Sequence, residues 1–388
     1  MRAVGIIAEF DPFHDGHAYL IREAKRLTGA DYVVVAMSGD FVERGEPAVF
    51  DKFERARSAV LGGADAVFEL PTAYATSGAR IFSEAGVRLL ASTGVVDSIC
   101  FGSECGDIDM LYRASELLDN ESEEFKMALA GFQKEGYSYP KAREKALLES
   151  GVSEEYVNMI REPNNILGIH YISAIRNYCP EIKAYTIKRV GAGYHECGEV
   201  SGFESATGIR NKILNKELTT YGNCPIQAND FSQLLFAKLL EMSADDLKRI
   251  ADVSDSLIGS LLKHREKSMG FTELIQEVKS KNNLHTQVAR ALLHIILGMT
   301  VEMRGDCGKL RIPYLRLLAF RDSSSGLLRM ISDNALTAFV TKAADAPCRR
   351  DELFLFDIKA ASLYNSTVYA KYGVRYPEDI TRGPQIVK

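Results

Sequence analysis

The stretch Ile6-Ile7-Ala8-Glu9-Phe10-Asp11-Pro12-Phe13-His14-Asp15-Gly16-His17-Ala18-Tyr19-Leu20 constrains this chain more than any other. An apolar run of buried-strand type breaks at Asp11-Pro12, and His-x-Gly-His then leads directly into residues with helical period. The pattern is strand, tight turn, helix. A helix beginning near Gly16 or His17 aims unpaired N–H groups and its positive end at whatever lies over the turn, which favours phosphate. Gly16 lets an anion approach the backbone, and two imidazoles can donate hydrogen bonds to a phosphoryl group under attack. The plainer alternative is a pair of polar turn residues. Ligands of open α/β sheets sit outside the carboxyl ends of the strands, which favours the phosphate reading.

The next 100 residues repeat the alternation. Strands are expected at Ala3–Phe10, Tyr32–Met37, Ala66–Leu70 and Ser98–Phe101, with helices at His17–Thr28, Phe50–Leu61 and Ser77–Ser92. Such spacing predicts an α/β fold, a Rossmann-like parallel sheet with helices on both faces and right-handed crossovers. Residues 107–160 read as helices, Lys183–Val190 as a strand ending at Gly191-Ala192-Gly193-Tyr194-His195, and 220–300 as mostly helical. From 309 onward, strand-like pieces at Tyr314–Phe320 and Glu352–Ile358 mix with short helices. Two units are expected: a nucleotide-binding catalytic domain over 1–218, and a mostly helical domain over 219–388.

Several turns carry residues suited to binding. The loop after the second strand contains Ser38, Gly39 and Arg44, and Lys52 opens the next helix; Arg44 is the first candidate to grip a carboxylate or phosphate, Lys52 the second. Each has a surface salt bridge as its plain alternative. Gly102 would admit an adenine or ribose, with a plain turn as the alternative. Asn164 and Asn165 either cap a helix or read a base or sugar through their amides. In Ser205-Ala206-Thr207-Gly208-Ile209-Arg210 the hydroxyls and Arg210 open another helix and can hold β- and γ-phosphates.

Charge and cysteines limit the alternatives. The net charge of −5 excludes a generally basic coat, yet residues 301–388 hold 14 Lys and Arg against 10 Asp and Glu, which leaves −9 on the first 300 residues. That asymmetry points to an acidic partner for the C-terminal part. There Tyr369-Ala-Lys371-Tyr-Gly-Val-Arg375-Tyr interleaves aromatics with Lys371 and Arg375, a pattern able to stack on unpaired bases, although aromatics are more often core. Seven cysteines (100, 105, 179, 197, 224, 307 and 348) lack zinc-ribbon spacing and read as free thiols, so no metal-ligand set is expected. No apolar run reaches membrane-spanning length and no leader is apparent, so a cytoplasmic location is expected, with no membrane partner.

Taken together these motifs resemble the HIGH-type nucleotidyltransferase superfamily. Within it, Glu9-Phe-Asp-Pro-Phe-His-Asp-Gly-His17, Met37-Ser-Gly, Arg44-Gly-Glu-Pro-Ala48, Phe68-Glu-Leu-Pro71, Cys100-Phe-Gly-Ser-Glu104, Pro163-Asn-Asn-Ile-Leu-Gly168 and Ala192-Gly-Tyr-His195 are similar to the bacterial tRNA(Met) cytidine acetate ligases over the whole chain, least at 220–285. The resemblance implies ATP-dependent activation of acetate as acetyl-adenylate. The acetyl group then passes to the exocyclic amine of the wobble cytidine of elongator tRNA(Met), giving N4-acetylcytidine. It implies that His14 and His17 are catalytic at the α-phosphate. It also implies an ATP cradle of Ile7, Ala8, Glu9, Phe10, Asp11, Pro12, Phe13, His14, Asp15, Gly16, His17, Ala18, Tyr19 and Leu20. Gly102, Asn164 or Asn165, and Arg189 would complete the nucleotide site; Ser205, Thr207 and Arg210 would hold pyrophosphate, and the loop with Ser38, Gly39 and Arg44 would face acetate. Mg²⁺ is expected to accompany the nucleotide, and the C-terminal domain to contact tRNA.

Asp11 and Asp15 stand where asparagine is usual in that family, and Ala206 where a serine is frequent. Two extra carboxylates beside a triphosphate must bridge to Mg²⁺, cap the helix or point away. The alternatives are an adenylyltransferase for a small cofactor precursor, which would leave 220–388 without a role, and a non-catalytic RNA-binding protein that keeps ATP as a structural ligand.

Overall fold

A computed structural model describes residues 2–189, 204–218, 223–267, 269–280 and 283–388. The glycine-rich stretch 191–195, with its Ala192-Gly-Tyr-His195 motif, lies outside the described residues. Among the described residues ten strands are formed: β1 (Ala3–Ala8), β2 (Tyr32–Ser38), β3 (Phe41–Val42), β4 (Glu46–Pro47), β5 (Ala66–Leu70), β6 (Val96–Ser103), β7 (Lys183–Lys188), β8 (Tyr314–Arg321), β9 (Ala338–Val340) and β10 (Gln385–Val387). The main sheet runs β10-β8-β5-β2-β1-β6-β7, with β9 also on β8, while β3 and β4 form a small hairpin. From β5 to β7 neighbouring strands are parallel, as expected; β8 joins β5 antiparallel.

Strand parity explains why helices cover both faces. Val4 and Ile6 of β1 enter one core with Ile21, Ala24, Phe53 and Ala56, whereas Ala3 and Ile7 enter the other with Phe82, Leu89 and Leu90. The first face is covered by α1 (Asp15–Thr28) and α2 (Lys52–Leu61). On the second, after a single turn α3 (Thr72–Ala75), lies α4 (Ala79–Ser92), set so close to β1 that a Cβ on Gly5 would stand 2.6 Å from Leu90 Cδ1.

The insertion at 107–160 folds as α5 (Ile108–Asp119), α6 (Glu123–Lys134), α7 (Tyr139–Glu149) and α8 (Glu154–Arg161), and α9 (Pro163–Tyr178) returns the chain along α4. After α10 (Ala206–Leu214) come α11 (Ser232–Glu241), α12 (Ala244–Arg249), α13 (Asp255–His264), α14 (Phe271–Val278), α15 (His285–Leu297) and the short α16 (Val301–Arg304). The chain then makes β8, α17 (Ser325–Asn334), β9, α18 (Glu352–Tyr372) and β10.

Two expectations meet a different outcome. Glu352–Ile358 is helix, not strand: Asp351 caps it by accepting from Leu353 N at 2.9 Å, and buried Leu353, Asp357, Ala360, Tyr364 and Val368 recur at helical spacing. Strands β8, β9 and β10, from the second expected unit, pair into the sheet of the first, so 1–218 and 219–388 share one sheet. A buried ionic cluster joins them: Lys52 Nζ lies 2.6 Å from Glu69 Oε1 and 3.1 Å from Asp379 Oδ1, and Arg316 Nη1 lies 2.6 Å from Asp379 Oδ2. Burial opposes the charge on Lys52, but Asp379 and Glu69 more than offset it, so its ammonium is held charged inside the protein and is not a ligand for a bound anion.

Candidate functional site

Beyond β1 the chain turns sharply. Phe10 has φ +48°, in the left-handed region that bulky residues rarely occupy, and the Asp11-Pro12 peptide is cis. His14 is the N-cap of α1: its Nδ1 accepts from Gly16 N at 3.1 Å, while His17 Nδ1 accepts from His14 N at 3.3 Å, a reciprocal capping box built from imidazoles. The two rings stack with centroids 3.7 Å apart and planes 26° apart. Phe10 packs on His17 at 4.8 Å.

These bonds fix the tautomers. An imidazole whose Nδ1 accepts carries its proton on Nε2, so both rings offer an Nε2–H. Burial, then the Arg189 guanidinium, pushes His14 down to about 4, with Asp15 opposing. Burial, then His14 and Arg189, holds His17 well below its usual value. Two neutral N–H donors therefore lie at the N-terminus of α1 near pH 7, suited to an oxyanion whose charge grows during reaction.

His17 lines a cavity of about 330 Å³ at the carboxyl ends of the parallel strands. Ile7, Ala8, Glu9, Phe10 and Asp11 form its floor; Leu20 of α1 and Phe82 of α4 add apolar wall. Of the remaining 7–20 stretch, His14 joins through its stack on His17, whereas Pro12, Phe13, Asp15, Gly16, Ala18 and Tyr19 shape the turn and helix rather than line the space.

On the β6–β7 side the wall is Phe101, Gly102, Pro163, Asn164 and Arg189. Asn164 Oδ1 accepts from Arg189 Nη1 at 3.3 Å, and a Cβ on Gly102 would sit 3.2 Å from Arg189 Cγ, so Gly102 leaves room above its strand. The two asparagines part company here. Asn165 is buried, its Oδ1 accepting from Glu104 N and Cys105 N at 2.9 and 3.2 Å; it secures the turn after β6, and Asn164 alone reaches the cavity.

On the β2 side stand Glu43 and Arg44, with Leu167 and Tyr171 of α9 completing the wall. Ser38 and Gly39, expected beside Arg44, are absent from it. The Arg55 guanidinium holds both of their carbonyls, at 3.1 Å for Ser38, and the Glu69 carboxylate fills the space behind Gly39. Glu43, Phe82 and Tyr171 carry no sequence signal of their own, and Leu167 only as part of the 163–168 motif; the fold brings the four to one place. Burial pushes Glu43 up to about 7 despite Arg290 Nη1 at 3.3 Å.

Asp11, in the cavity floor, is buried and held by its neighbours. Its buried carboxylate accepts from Val49 N at 2.7 Å and lies 3.3 Å from Arg44 Nη2 and 3.5 Å from Arg210 Nη1. Arg210 also donates to Thr207 Oγ1 at 2.9 Å, and Ser205 caps α10 by accepting from Gly208 N at 3.1 Å. Ala206 and Arg210, rather than the two hydroxyls, face the cavity. Asp15 is exposed in the first turn of α1 and complements its dipole. Among the described residues no three His, Cys, Asp or Glu gather as a metal site.

Away from the cavity, Lys371 Nζ binds Asp230 Oδ2 at 2.8 Å and the Pro225 carbonyl at 3.0 Å, and Arg375 lies over the Tyr369 ring at 5.0 Å. Lys371 ties the end of α18 to the 225–230 segment.

Residues 1–376 match the HIGH Nucleotidyl Transferase family. A tRNA(Met) cytidine acetate ligase of Caldicellulosiruptor saccharolyticus is 37% identical over 94% of both chains, and one of Alkaliphilus metalliredigens is 33% identical over 94% of both. Among solved structures, Thermotoga maritima TmcAL bound with alpha-thio ATP superposes with a TM-score of 0.88 at 29% identity, and its apo form with 0.90 at 30%, each over the full length of both chains.

Proposed function

The chain belongs to the HIGH nucleotidyl transferases and, within them, to the tRNA(Met) cytidine acetate ligase family, and we propose that its cavity activates acetate with ATP and delivers the acetyl group to N4 of the wobble cytidine of elongator tRNA(Met). The observation that carries this reading is the stacked pair His14–His17 at the start of a helix, two neutral rings whose Nδ1 atoms accept, leaving each Nε2–H without a partner among the described residues. The sheet order and the lining residues support the following placement. The nucleoside lies on the β6–β7 side against Gly102, Asn164 and Arg189, the α-phosphate over β1, and acetate on the β2 side near Arg44.

In the first step an acetate oxygen attacks the α-phosphorus, the bond to the β-phosphate breaks and pyrophosphate leaves. His14 and His17 donate to the α-phosphoryl oxygens as charge builds, and Arg210 faces the departing pyrophosphate. In the second, cytidine N4 attacks the acyl carbon, the acyl–phosphate bond breaks, the amine proton passes to solvent and AMP leaves. Mg²⁺ would be carried mainly by the nucleotide phosphates, since Asp11 is committed to Val49, Arg44 and Arg210 and Asp15 belongs to no group of three metal-ligating side chains among the described residues.

Every side chain lining the cavity falls within 1–218, and we read 219–388 as the tRNA-binding part. Lys371 and Arg375 are a second contact for RNA, with Lys371 exchanging Asp230 for a phosphate. No helix among the described residues is long and apolar enough to cross a membrane, consistent with a cytoplasmic tRNA substrate. The test is to incubate the protein with labelled acetate, ATP and bulk bacterial tRNA. Label in a cytidine of one tRNA supports the ligase; label only in a small molecule, or nowhere, overturns it.

A further inference from the structure

The part of the cavity wall around Arg44 is rich in acid. Glu9, Asp11 and Glu43 line the same space as Arg44 and Arg210, three carboxylates to two guanidinium groups. Arg44 Nη2 lies 3.5 Å from Glu9 Oε2 and 3.3 Å from Asp11 Oδ2, and Arg210 Nη1 lies 3.5 Å from Asp11 Oδ2. Glu43 belongs to the same group, its backbone N–H donating to Glu9 Oε1 at 2.8 Å. A third carboxylate turned onto Arg44 would compete there with a substrate that is itself a carboxylate.

The Glu43 carboxylate is held from behind instead. Arg290 of α15, in the helical half of the chain, is not a lining residue; its Nη1 donates to Glu43 Oε1 at 3.3 Å and its Nε to Asp252 Oδ2 at 3.0 Å. Asp252 has a second guanidinium, Arg304 Nη1 at 3.0 Å from Oδ1, so its charge does not depend on Arg290 alone. Close packing fixes where Arg290 stands: a Cβ on Gly45 would meet its N at 2.3 Å, and one on Gly78 its Nη2 at 3.7 Å. The Arg290 side chain is 15% exposed, so solvent screens its pair with Glu43 only weakly. No other neighbour does the same work. Glu9 is a like charge, Arg44 Nη2 is shared between Glu9 and Asp11, and Tyr171 of the same wall is a phenol that burial keeps neutral. His294, one turn further along α15 and 3.7 Å from Asp252, is buried and pushed down, so it adds no charge.

One residue of the helical half thus sets the charge balance in a wall built by the other half. We propose that Arg290 is a positioning residue for acetate: it holds the Glu43 carboxylate away from Arg44 and so leaves the remaining donors of Arg44 to the substrate carboxylate. This rests on the ligase reading above, which puts acetate near Arg44. A neutral Glu43 does not compete with acetate, so Arg290 matters where Glu43 is ionised and not below. That pH dependence separates the role from simple support of the loop, which would be needed at every pH.

The test is acetate-dependent ATP–pyrophosphate exchange by the full-length protein, with KM for acetate and for ATP measured between pH 6 and pH 9. R290Q is expected to match wild type at pH 6 and to raise the KM for acetate about tenfold at pH 9, with the KM for ATP changed less than about twofold. The pH at which the KM for acetate rises should move up by about one unit, because Glu43 has lost its cation. R290K, which keeps the charge, should stay within about threefold of wild type, and R290Q/E43Q should return the KM to a low value at every pH, since no carboxylate is left stranded. An unchanged KM in R290Q at pH 9 overturns the proposal. So does a KM raised equally at pH 6 and pH 9, or a defect that E43Q does not relieve, either of which would make Arg290 structural. Should R290Q be too unstable to assay, R290Q/E43Q must recover both the fold and the low KM, and its failure overturns the proposal equally. Wild-type protein without acetate-dependent exchange overturns the ligase reading together with the proposal, whereas exchange that R290Q leaves unaltered overturns the proposal alone.

Discussion

Asp11 Oδ2 lies 3.5 Å from Arg210 Nη1, and the Asp11 main-chain carbonyl accepts a hydrogen bond from the same guanidinium. A carboxylate that from its position in the turn would oppose a triphosphate is instead turned into the protein. There it holds two arginines of the cavity wall, Arg44 and Arg210, on one carboxylate oxygen.

Substitution at Asp11 separates its two tasks. D11N keeps an oxygen for Val49 N–H while removing a charge that neutralises both arginines, so ATP binding stays equal or tightens a few-fold and stability changes by less than about 1 kcal/mol. D11A leaves the amide of Val49 without its partner and should cost about 2–4 kcal/mol. Thermal melts and ATP titration check both. Strong loss of ATP binding in D11N would make Asp11 a direct ligand of the nucleotide or its metal.

The histidine pair predicts an acid-sensitive site. His14 titrates near 6.5 in an unfolded chain and at about 4 in the folded one, so between those values the unfolded state binds the extra proton. Stability is lost as pH falls from about 6.5 toward about 4. Allowing for the half-exposed ring, the difference in unfolding free energy between pH 7 and pH 5 should shrink by on the order of 1–2 kcal/mol in H14Q. Denaturant unfolding at the two pH values measures it. H17A should abolish acetate-dependent pyrophosphate release while tRNA binding is largely kept; equal loss of both would make the ring structural.

How much of this was legible in the sequence depends on where the information lies. His14-x-Gly-His17, Gly102, Asn164 and Arg210 advertise themselves because a turn between strand and helix permits few residue types; of these, His17, Gly102, Asn164 and Arg210 line the cavity and His14 stacks on His17. Choosing between Asn164 and Asn165 needed coordinates, since one helical step decides whether an amide faces the cavity or the turn after β6. Ser38 and Gly39 read as loop residues; the buried Arg55 and Glu69 that occupy their surroundings come from other elements. Glu352–Ile358 carries a short apolar run that fits either period, and the Asp351 cap decides it. The antiparallel entry of β8 beside β5 is a pairing across some 250 residues with no local signature.

Glu43 predicts how acetate use depends on pH. Its carboxyl shares the β2 side of the cavity with Glu9, whose Oε1 accepts from Glu43 N at 2.8 Å, and burial pushes it up to about 7. Below that value Glu43 is neutral and an anionic substrate meets one fewer negative charge; above it the KM for acetate should rise several-fold. E43Q should hold the KM for acetate flat across the same range, near its low-pH value. Because the folded value lies above the unfolded one, Glu43 also costs stability as pH rises from about 4.5 to about 7, a loss complete above that range, so E43Q should melt higher at pH 8. A rise in KM that persists in E43Q would assign the titration to another group.

Gly45 makes the joint between the cavity loop and the helical segment. It has φ +80°, and a Cβ there would stand 2.3 Å from Arg290 N and 2.4 Å from the Ala289 carbonyl carbon, so the loop lies directly on the α15 backbone. The same helix sends Arg290 to Glu43 at 3.3 Å and to Asp252 at 3.0 Å. G45A must therefore strain the backbone and push the loop off α15, at a cost of about 2–4 kcal/mol. The displaced loop carries Glu43 and Arg44, whereas Gly102, Asn164 and Arg189 stand on other elements. G45A is thus expected to raise the KM for acetate at least fivefold and to change ATP affinity less than twofold. Calorimetric melting and steady-state kinetics test the two halves separately, and an equal loss of acetate and ATP binding would mean that the loop supports the nucleotide side as well.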